Sequence, residues 1–382
     1  MATTARVLII AGSDSGGGAG IQADVKAVTM LGGHAMTAIT AITAQNTLGV
    51  QGVHPVPSDM VLAQIDSVVA DIGVDAVKIG MIGGAETAAA VAERLSRPDL
   101  ADAALVFDPV MVATSGSVLA DATTIGAFHA LLRRAMVATP NLSELEALGG
   151  EEAVLAHGCS LLVKGGHAEG ETVTDRLLEA SEGEVARWEA PRIDTPHSHG
   201  TGCTLASAIA TGLAQGMPLE PAIARARDFV RLALLDAPGL GQGHGPMGQQ
   251  MVRNDGLFTG PAINQITLPA RDYAASVAFY KQLGLTQIVD SPDNGYARFE
   301  AANGVTLSVH VGDGKAGGAV ACLESGALDA WVAYLARRGV RFDQMPKDQD
   351  WGWREARLTD PAGNGLCLYQ AGEYRRYPPW RI

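Results

Sequence analysis

Cysteine is scarce in this 382-residue chain, which has only Cys159, Cys203, Cys322 and Cys367. None sits in a CxxC pair and none has zinc-finger spacing, so reduced thiols in a cytosolic protein are the expectation. Basic residues are also few: 28 Lys and Arg stand against 41 Asp and Glu, a formal net charge of −13. That balance argues against nucleic-acid and membrane-surface partners, both of which favour basic patches. It leaves anionic substrates open, because local loops and metals set the field at a site. No apolar run approaches the roughly 20 residues that a spanning helix needs. The run within MATTARVLIIAGSDSGGGAG is too short for a signal segment, and a cytoplasmic location is expected. A GxxxxGK[ST] phosphate loop is absent, and the best GxGxxG match is poor.

The residues present are those of a globular chain, 47% hydrophobic and 18% charged. The length predicts two or more domains. Up to about residue 240, the short apolar runs RVLIIAG, AVKIGMIG, ALVFDPVMV and SLLVKGGH alternate with helical patterns such as IQADVKAVTMLG and AETAAAVAERL. This rhythm predicts an α/β fold with a mostly parallel sheet and helices on both faces. Ligands in such folds bind beyond the carboxyl ends of the strands. PGLGQGHGPMGQQ, Pro238 to Gln250, breaks the pattern and reads as a linker. Beyond it, INQITLPA, RDYAASVAFYKQLG and GYARFEAANGVTLSVHV read as strand, helix and hairpin, with Asn303-Gly304 at the turn. GGAVACLES, ALDAWVAYLARRG and REARLTDPAGNGLCLYQ repeat that order, which predicts an α+β domain of two βαβββ modules.

Three glycine-rich segments stand out: AGSDSGGGAGIQAD (Ala11–Asp24), VKGGH (Val163–His167) and HGTGC (His199–Cys203). The first lets backbone approach a ligand closely. The third places successive amides at a helix start, where the dipole favours an anion. Asp108 ends the strand ALVFD, and Asn141-Leu142-Ser143-Glu144 follows MVATP. Both fall at the expected active edge, and a carboxylate pair there suits Mg²⁺ held through water and phosphates. Asp108 could instead cap a turn, and Glu144 could be a first-turn helix acid.

AGSDSGGGAGIQAD, TAITAQNT, VKIGMIG, DPVMVATSG, TPNLSELEAL, LVKGGH, HGTGCTLASAIA and GHGP occur in an order that resembles the hydroxymethylpyrimidine/phosphomethylpyrimidine kinases of thiamine biosynthesis, in the ribokinase-like superfamily. The resemblance implies a kinase domain over residues 1–250, a linker over 251–262, and two ATP-dependent phosphorylations in one site, giving the monophosphate and then the diphosphate. It implies that Asp108 and Glu144 organise Mg²⁺. Asn141 and Lys164 would serve ATP and its phosphates, and Gly200, Thr201 and Gly202 would form the anion hole. Asp24, Gln45, Met81 and Val110 would line the pyrimidine pocket; Gln45 suits an aminopyrimidine because a primary amide offers a donor beside an acceptor. Cys203 stands where sugar-kinase relatives carry an aspartate base. At a helix N-terminus its pKa is expected to fall below the free value of about 8.5, and it could act as base or as a positioning group. A homodimer is also implied. A pyridoxine/pyridoxal kinase of the same fold is the enzymatic rival, and Cys203 with the Ala-Gln-Asn-Thr segment favours the pyrimidine. A degenerate kinase unit on a ligand-sequestering protein is a rival of another class.

LPARDYAASVAFYKQLGL and TDPAGNGLCLYQ resemble the glyoxalase/bleomycin-resistance/dioxygenase (vicinal oxygen chelate) superfamily, implying such a domain over 263–382. The positions matching that group's metal ligands hold Gln265, Ser308, Ala319 and Cys367, with His310 two residues from Ser308. This set predicts no metal and a concave cup for a small organic molecule; an independent metal-dependent lyase or dioxygenase is the alternative. Trp351, Trp353, Trp380, Tyr374 and Tyr377 could line that cup or pack the tail. Cys159, Cys322 and Cys367 read as core residues.

Overall fold

The structure is a computed structural model that describes residues 4–112, 119–166, 170–252, 265–301, 305–312, 320–325, 328–350 and 352–370. The chain divides into two compact units, Met1–Val252 and Arg253–Ile382.

The N-terminal unit begins with β1 (Arg6–Asp14), whose Val7, Leu8, Ile9 and Ile10 are fully buried. An apolar run without alternation forms a strand covered on both faces. There follow α1 (Gly20–Met30), β2 (His34–Asn46), β3 (Gly49–Pro55), α2 (Ser58–Asp71), β4 (Ala76–Ile79), α3 (Ala85–Leu95), β5 (Ala104–Phe107), α4 (Ala122–Arg134) and β6 (Val137–Ala138). Then come α5 (Leu142–Ala147), α6 (Glu151–Leu155), β7 (Ser160–Val163), β8 (Thr172–Glu179), β9 (Gly183–Pro191), α7 (Thr201–Ala214) and α8 (Leu219–Leu235). The nine strands form one sheet in the order β3-β2-β1-β4-β5-β6-β7-β8-β9. The six from β2 to β7 run parallel, and antiparallel strands close both edges. Leu8 and Ile10 join Ile65, Val91 and Leu131 of α2, α3 and α4 in one core. Alternation sends Val7 and Ile9 to the other face, where α1 and α7 pack on β1. The parallel strands therefore deliver their carboxyl ends, at Asp14, Gln45, Gly80, Asp108, Thr139 and Lys164, to one edge.

The stretch Pro238–Gln250 is not a linker. Its amides at His244 and Gly248 donate to Thr47 O and Ala233 O at 2.9 and 2.8 Å, and Gly245 O accepts from His199 N. Met247 and Gln249 are 1% and 0% exposed. A Cβ on Gly243 would lie 2.1 Å from Thr47 O, and one on Gly248 would lie 2.0 Å from Asp236 O. The glycines there permit close backbone packing and do not signal slack chain. Of the linker expected at 251–262, residues 253–262 lie outside the described residues, and Val252 is buried.

The C-terminal unit contains β10 (Gln265–Ala270), α9 (Tyr273–Gln282), β11 (Thr286–Ser291), β12 (Tyr296–Glu300) and β13 (Thr306–Val311), then β14 (Val320–Glu324), α10 (Leu328–Arg337), β15 (Gln344–Asp348), β16 (Arg354–Thr359) and β17 (Gly365–Gln370). The two sheets, β10-β13-β12-β11 and β14-β17-β16-β15, have the same topology. In each the first strand pairs parallel with the last, giving two βαβββ modules. One core joins them, including Leu268, Tyr280 and Phe299 of the first and Val332, Leu335 and Leu368 of the second. The turn expected at Asn303-Gly304 lies outside the described residues; β12 and β13 on either side pair antiparallel.

Candidate active site

The turn expected to form an anion hole opens α7 (Thr201–Ala214). Gly200 is its N-cap at φ 86°, in the left-handed region, and a Cβ there would lie 2.0 Å from Gly18 O. The first amides of the helix have no partner within it, and its dipole adds positive potential. A Cβ on Gly202 would lie 3.2 Å from Lys164 Nζ and 3.5 Å from Asp108 Oδ2. Any side chain at 202 would therefore enter the space these groups share. Lys164 donates to Asp108 Oδ1 at 2.7 Å, and Thr139 Oγ1 donates to the same oxygen at 3.0 Å. Burial works against the Lys164 charge, but Asp108 and Glu144 outweigh it and raise its pKa.

Asn141 and Glu144 form a capping box on α5: Asn141 Oδ1 accepts from Glu144 N at 2.9 Å, and Asn141 N donates to Glu144 Oε2 at 2.8 Å. The box turns Glu144 into the same edge, 6% exposed. Burial pushes its pKa up, and the Asp108 charge adds to the rise against Lys164. Glu144 is thus both the first-turn acid and a charge in the site.

A buried layer lies beneath. Lys78 of β4 is fully buried and donates to Asp24 Oδ2 and Oδ1 at 2.8 and 3.0 Å. Asp24, also 0% exposed, accepts from Ser207 Oγ at 2.8 Å. Burial works against the Lys78 charge, yet the neighbouring carboxylates, Asp24 first and then Asp108, hold its pKa above the ordinary value. Both Asp24 oxygens are committed, to Lys78 and Ser207. The expectation for Cys203 is corrected. Burial raises its thiol to about 11; the Lys78 charge opposes this, while Asp24 and Asp108 add to it. The direction is opposite to the expected fall, with desolvation as the largest cause.

The first glycine loop is organised by Asp14, which ends β1. Its carboxylate accepts from the amides of Gly16, Gly18 and Ala19 at 2.8, 3.1 and 2.8 Å. Burial works to raise its pKa, and the hydrogen bonds from His199, Ala19 and Gly16 outweigh it, holding the carboxyl below its usual value. His199 Nε2 lies 3.1 Å from Asp14 Oδ2 and 3.1 Å from Gln45 Nε2. A Cβ on Gly18 would lie 2.5 Å from His199 Cδ2. Met81 follows β4 with its Cε 2.4 Å from where a Cβ on Gly12 would sit, and Val110 N turns back to Asp108 O at 2.8 Å. Gln45, Met81 and Val110 are partly buried on the same edge. Thr201 opens α7 beside Ser198, its amide 3.4 Å from Ser198 O. His167 lies outside the described residues.

Lys78, Thr139, Ser207, Asp14 and His199 had no role in the sequence reading. The signal for Lys78 was available: a lysine within the apolar run AVKI must find a buried partner.

In the C-terminal unit, Ser308 is fully buried and shares a hydrogen bond of 2.9 Å with Tyr296 OH, while His310 is exposed. Cys367 is buried and its thiol is pushed up to about 12, by burial first and then Glu355 and Cys322. Ala319, Trp351, Tyr374, Tyr377 and Trp380 lie outside the described residues; Trp353 stacks on Tyr369 at 4.5 Å. Cys159 is a core residue, but Cys322 is exposed, contrary to expectation, because its strand turns it away from the apolar face that holds Ala321. Among the described residues no group of three or more His, Cys, Asp or Glu could hold a metal, and no helix is long and apolar enough to cross a membrane.

Residues 14–248 match the family described as phosphomethylpyrimidine kinase, and residues 262–368 match the glyoxalase/bleomycin resistance protein/dioxygenase superfamily. A hydroxymethylpyrimidine/phosphomethylpyrimidine kinase of Rhizobium meliloti is 46% identical, covering 64% of this chain and 96% of the relative. One from Streptomyces coelicolor is 47% identical, covering 63% and 93%. Among solved structures, an ADP complex of Bacillus subtilis pyridoxal kinase aligns with a TM-score of 0.60 at 32% identity, covering 66% of this chain and 99% of that one.

Proposed function

The chain belongs to the phosphomethylpyrimidine kinase family, and from that premise we infer that its N-terminal unit is a hydroxymethylpyrimidine/phosphomethylpyrimidine kinase of thiamine biosynthesis. It is an ATP-dependent phosphotransferase that makes the monophosphate and then the diphosphate. The observation that carries the reading at the level of residues is the convergence of Asp108, Lys164 and Gly202 at the start of α7.

The donor set fits Mg²⁺. Asp108 and Glu144 are hard oxygen donors near enough to repel each other, and the described residues supply no fuller cage. An ion there would take its other ligands from water and phosphate, and would neutralise phosphate charge. Lys164 leaves Asp108 to meet ATP, and the amides of Gly202 and Cys203 hold the transferring phosphoryl group. Such chemistry is largely positioning and charge neutralisation. Cys203 keeps its proton in the resting site, so it acts first as a group that orients the substrate hydroxymethyl oxygen. Gln45, Met81 and Val110 receive the pyrimidine, and Lys78 with Asp24 supports Cys203 from below. The C-terminal unit is read as a metal-free binding module. A homodimer and a cytoplasmic location complete the proposal.

The test is ATP turnover by the full chain on hydroxymethylpyrimidine, its monophosphate and pyridoxine. Phosphorylation of both pyrimidines in preference to pyridoxine is expected. Turnover of pyridoxine alone would replace the substrate assignment.

A further inference from the structure

His199 Nε2 lies between two partners that make opposite demands on it. Asp14 Oδ2, at 3.1 Å, belongs to a carboxylate that already accepts three backbone amides, so it can only accept. Nε2 must therefore carry a hydrogen and donate it. A ring nitrogen that carries hydrogen has no lone pair in the ring plane, so it cannot accept from an NH₂ group 3.1 Å away. The end of the Gln45 amide that faces His199 must then be its oxygen, which shares the single Nε2 hydrogen with Asp14 in a three-centre bond where an NH₂ group would set hydrogen against hydrogen.

The other end of the amide supplies an independent check. It lies 3.1 Å from Thr43 Oγ1, whose single hydrogen has a carbonyl partner, Ser13 O, at 2.9 Å. Thr43 can accept from Gln45 but has no second hydrogen to donate. An NH₂ end there gives Thr43 one acceptor for its hydrogen and one donor for its lone pair, so both ends favour the same orientation. So arranged, Gln45 keeps one amide hydrogen and one oxygen lone pair uncommitted. An aminopyrimidine offers a ring nitrogen and an exocyclic amine side by side, which satisfies both. Pyridoxine has no donor on a carbon next to its ring nitrogen, so it cannot satisfy both at once.

We propose that His199, braced by Asp14, is a positioning residue that orients the Gln45 amide with its oxygen toward His199, and thereby sets the preference for an aminopyrimidine over a pyridine. The proposal rests on the substrate reading above and deepens it.

Two measurements on the full chain test it. Selective ¹⁵N-histidine labelling reads the tautomer directly; the nine histidines are resolved by comparison with His199→Gln. Hydrogen on Nε2 is expected, and a ring protonated on Nδ1 alone overturns the proposal. Second, His199→Ala should lower the kcat/KM ratio of hydroxymethylpyrimidine to pyridoxine roughly tenfold, one neutral hydrogen bond's worth. The loss should fall in KM, with kcat for the pyrimidine changed little. Thr43→Val removes the other anchor without touching His199, and is expected to move the ratio in the same direction should His199→Ala fold poorly. A ratio unchanged within twofold, or equal losses of kcat on both substrates, overturns the proposal. A parent chain inactive on both substrates would overturn the functional reading instead, and the tautomer would still decide the orientation.

Discussion

The thiol of Cys203 offers the sharpest test of the active-site electrostatics. Its pKa is raised from 9.0 to about 11, a difference of two units. Below pH 9 its thiolate fraction is therefore about a hundredfold smaller than that of an unperturbed thiol. Since the thiolate is the nucleophile, alkylation by iodoacetamide at pH 8 should be slower by about the same factor. A free cysteine peptide labelled in parallel provides the reference, and quantitative peptide mass spectrometry reads the Cys203 site. The Cys203 rate should climb about tenfold per pH unit and show no plateau below pH 10. Because the Lys78 ammonium is the leading influence that lowers this pKa, Lys78→Met should slow alkylation further. Half-maximal labelling of Cys203 at pH 8.5 or below would refute the reasoning. It would show that the helix terminus outweighs desolvation, and would restore Cys203 as a ready base.

Four further outcomes are expected. Lys78→Met should cost about 3–5 kcal/mol of stability by leaving Asp24 buried and unpaired, read as a fall in Tm of at least about 6 °C; Lys78→Met with Asp24→Asn should recover most of it. Gly202→Ala places a methyl 3.2 Å from Lys164 Nζ, and should weaken phosphoryl transfer roughly tenfold or more while circular dichroism stays unchanged. Gly200→Ala combines a φ of 86° with a Cβ 2.0 Å from Gly18 O, and should destabilise the N-terminal unit by more than about 2 kcal/mol in urea unfolding. Elemental analysis of the dialysed full chain should find no stoichiometric zinc, nickel, iron or manganese, and a stoichiometric metal lost in Gln265→Ala would reopen an enzymatic reading of the C-terminal unit.

The sequence alone determined the fold class of each unit and the edge of the sheet on which the site lies. Short unbroken apolar runs such as VLII, bounded by glycine and alternating with helical patterns, read as strands covered on both sides, and the residues that end them gather at one edge. The βαβββ repeat was legible for the same reason: its periodicity is local. The antiparallel strands β3, β8 and β9 were not read, since exposed edge strands such as β3 bury no regular face. Glycine misled once, at Pro238–Gln250, because one residue type serves both slack chain and the closest packing, and only the neighbouring backbone of Thr47 and Asp236 separates the two. Tertiary structure alone decided the ionisation of Cys203 and the partners of Asp24, Lys78 and His199. These depend on side chains far apart in sequence, 54 residues for Lys78 and Asp24 and 185 for His199 and Asp14. The desolvation that sets the Cys203 thiol arises only when strands, loops and α7 close together around it.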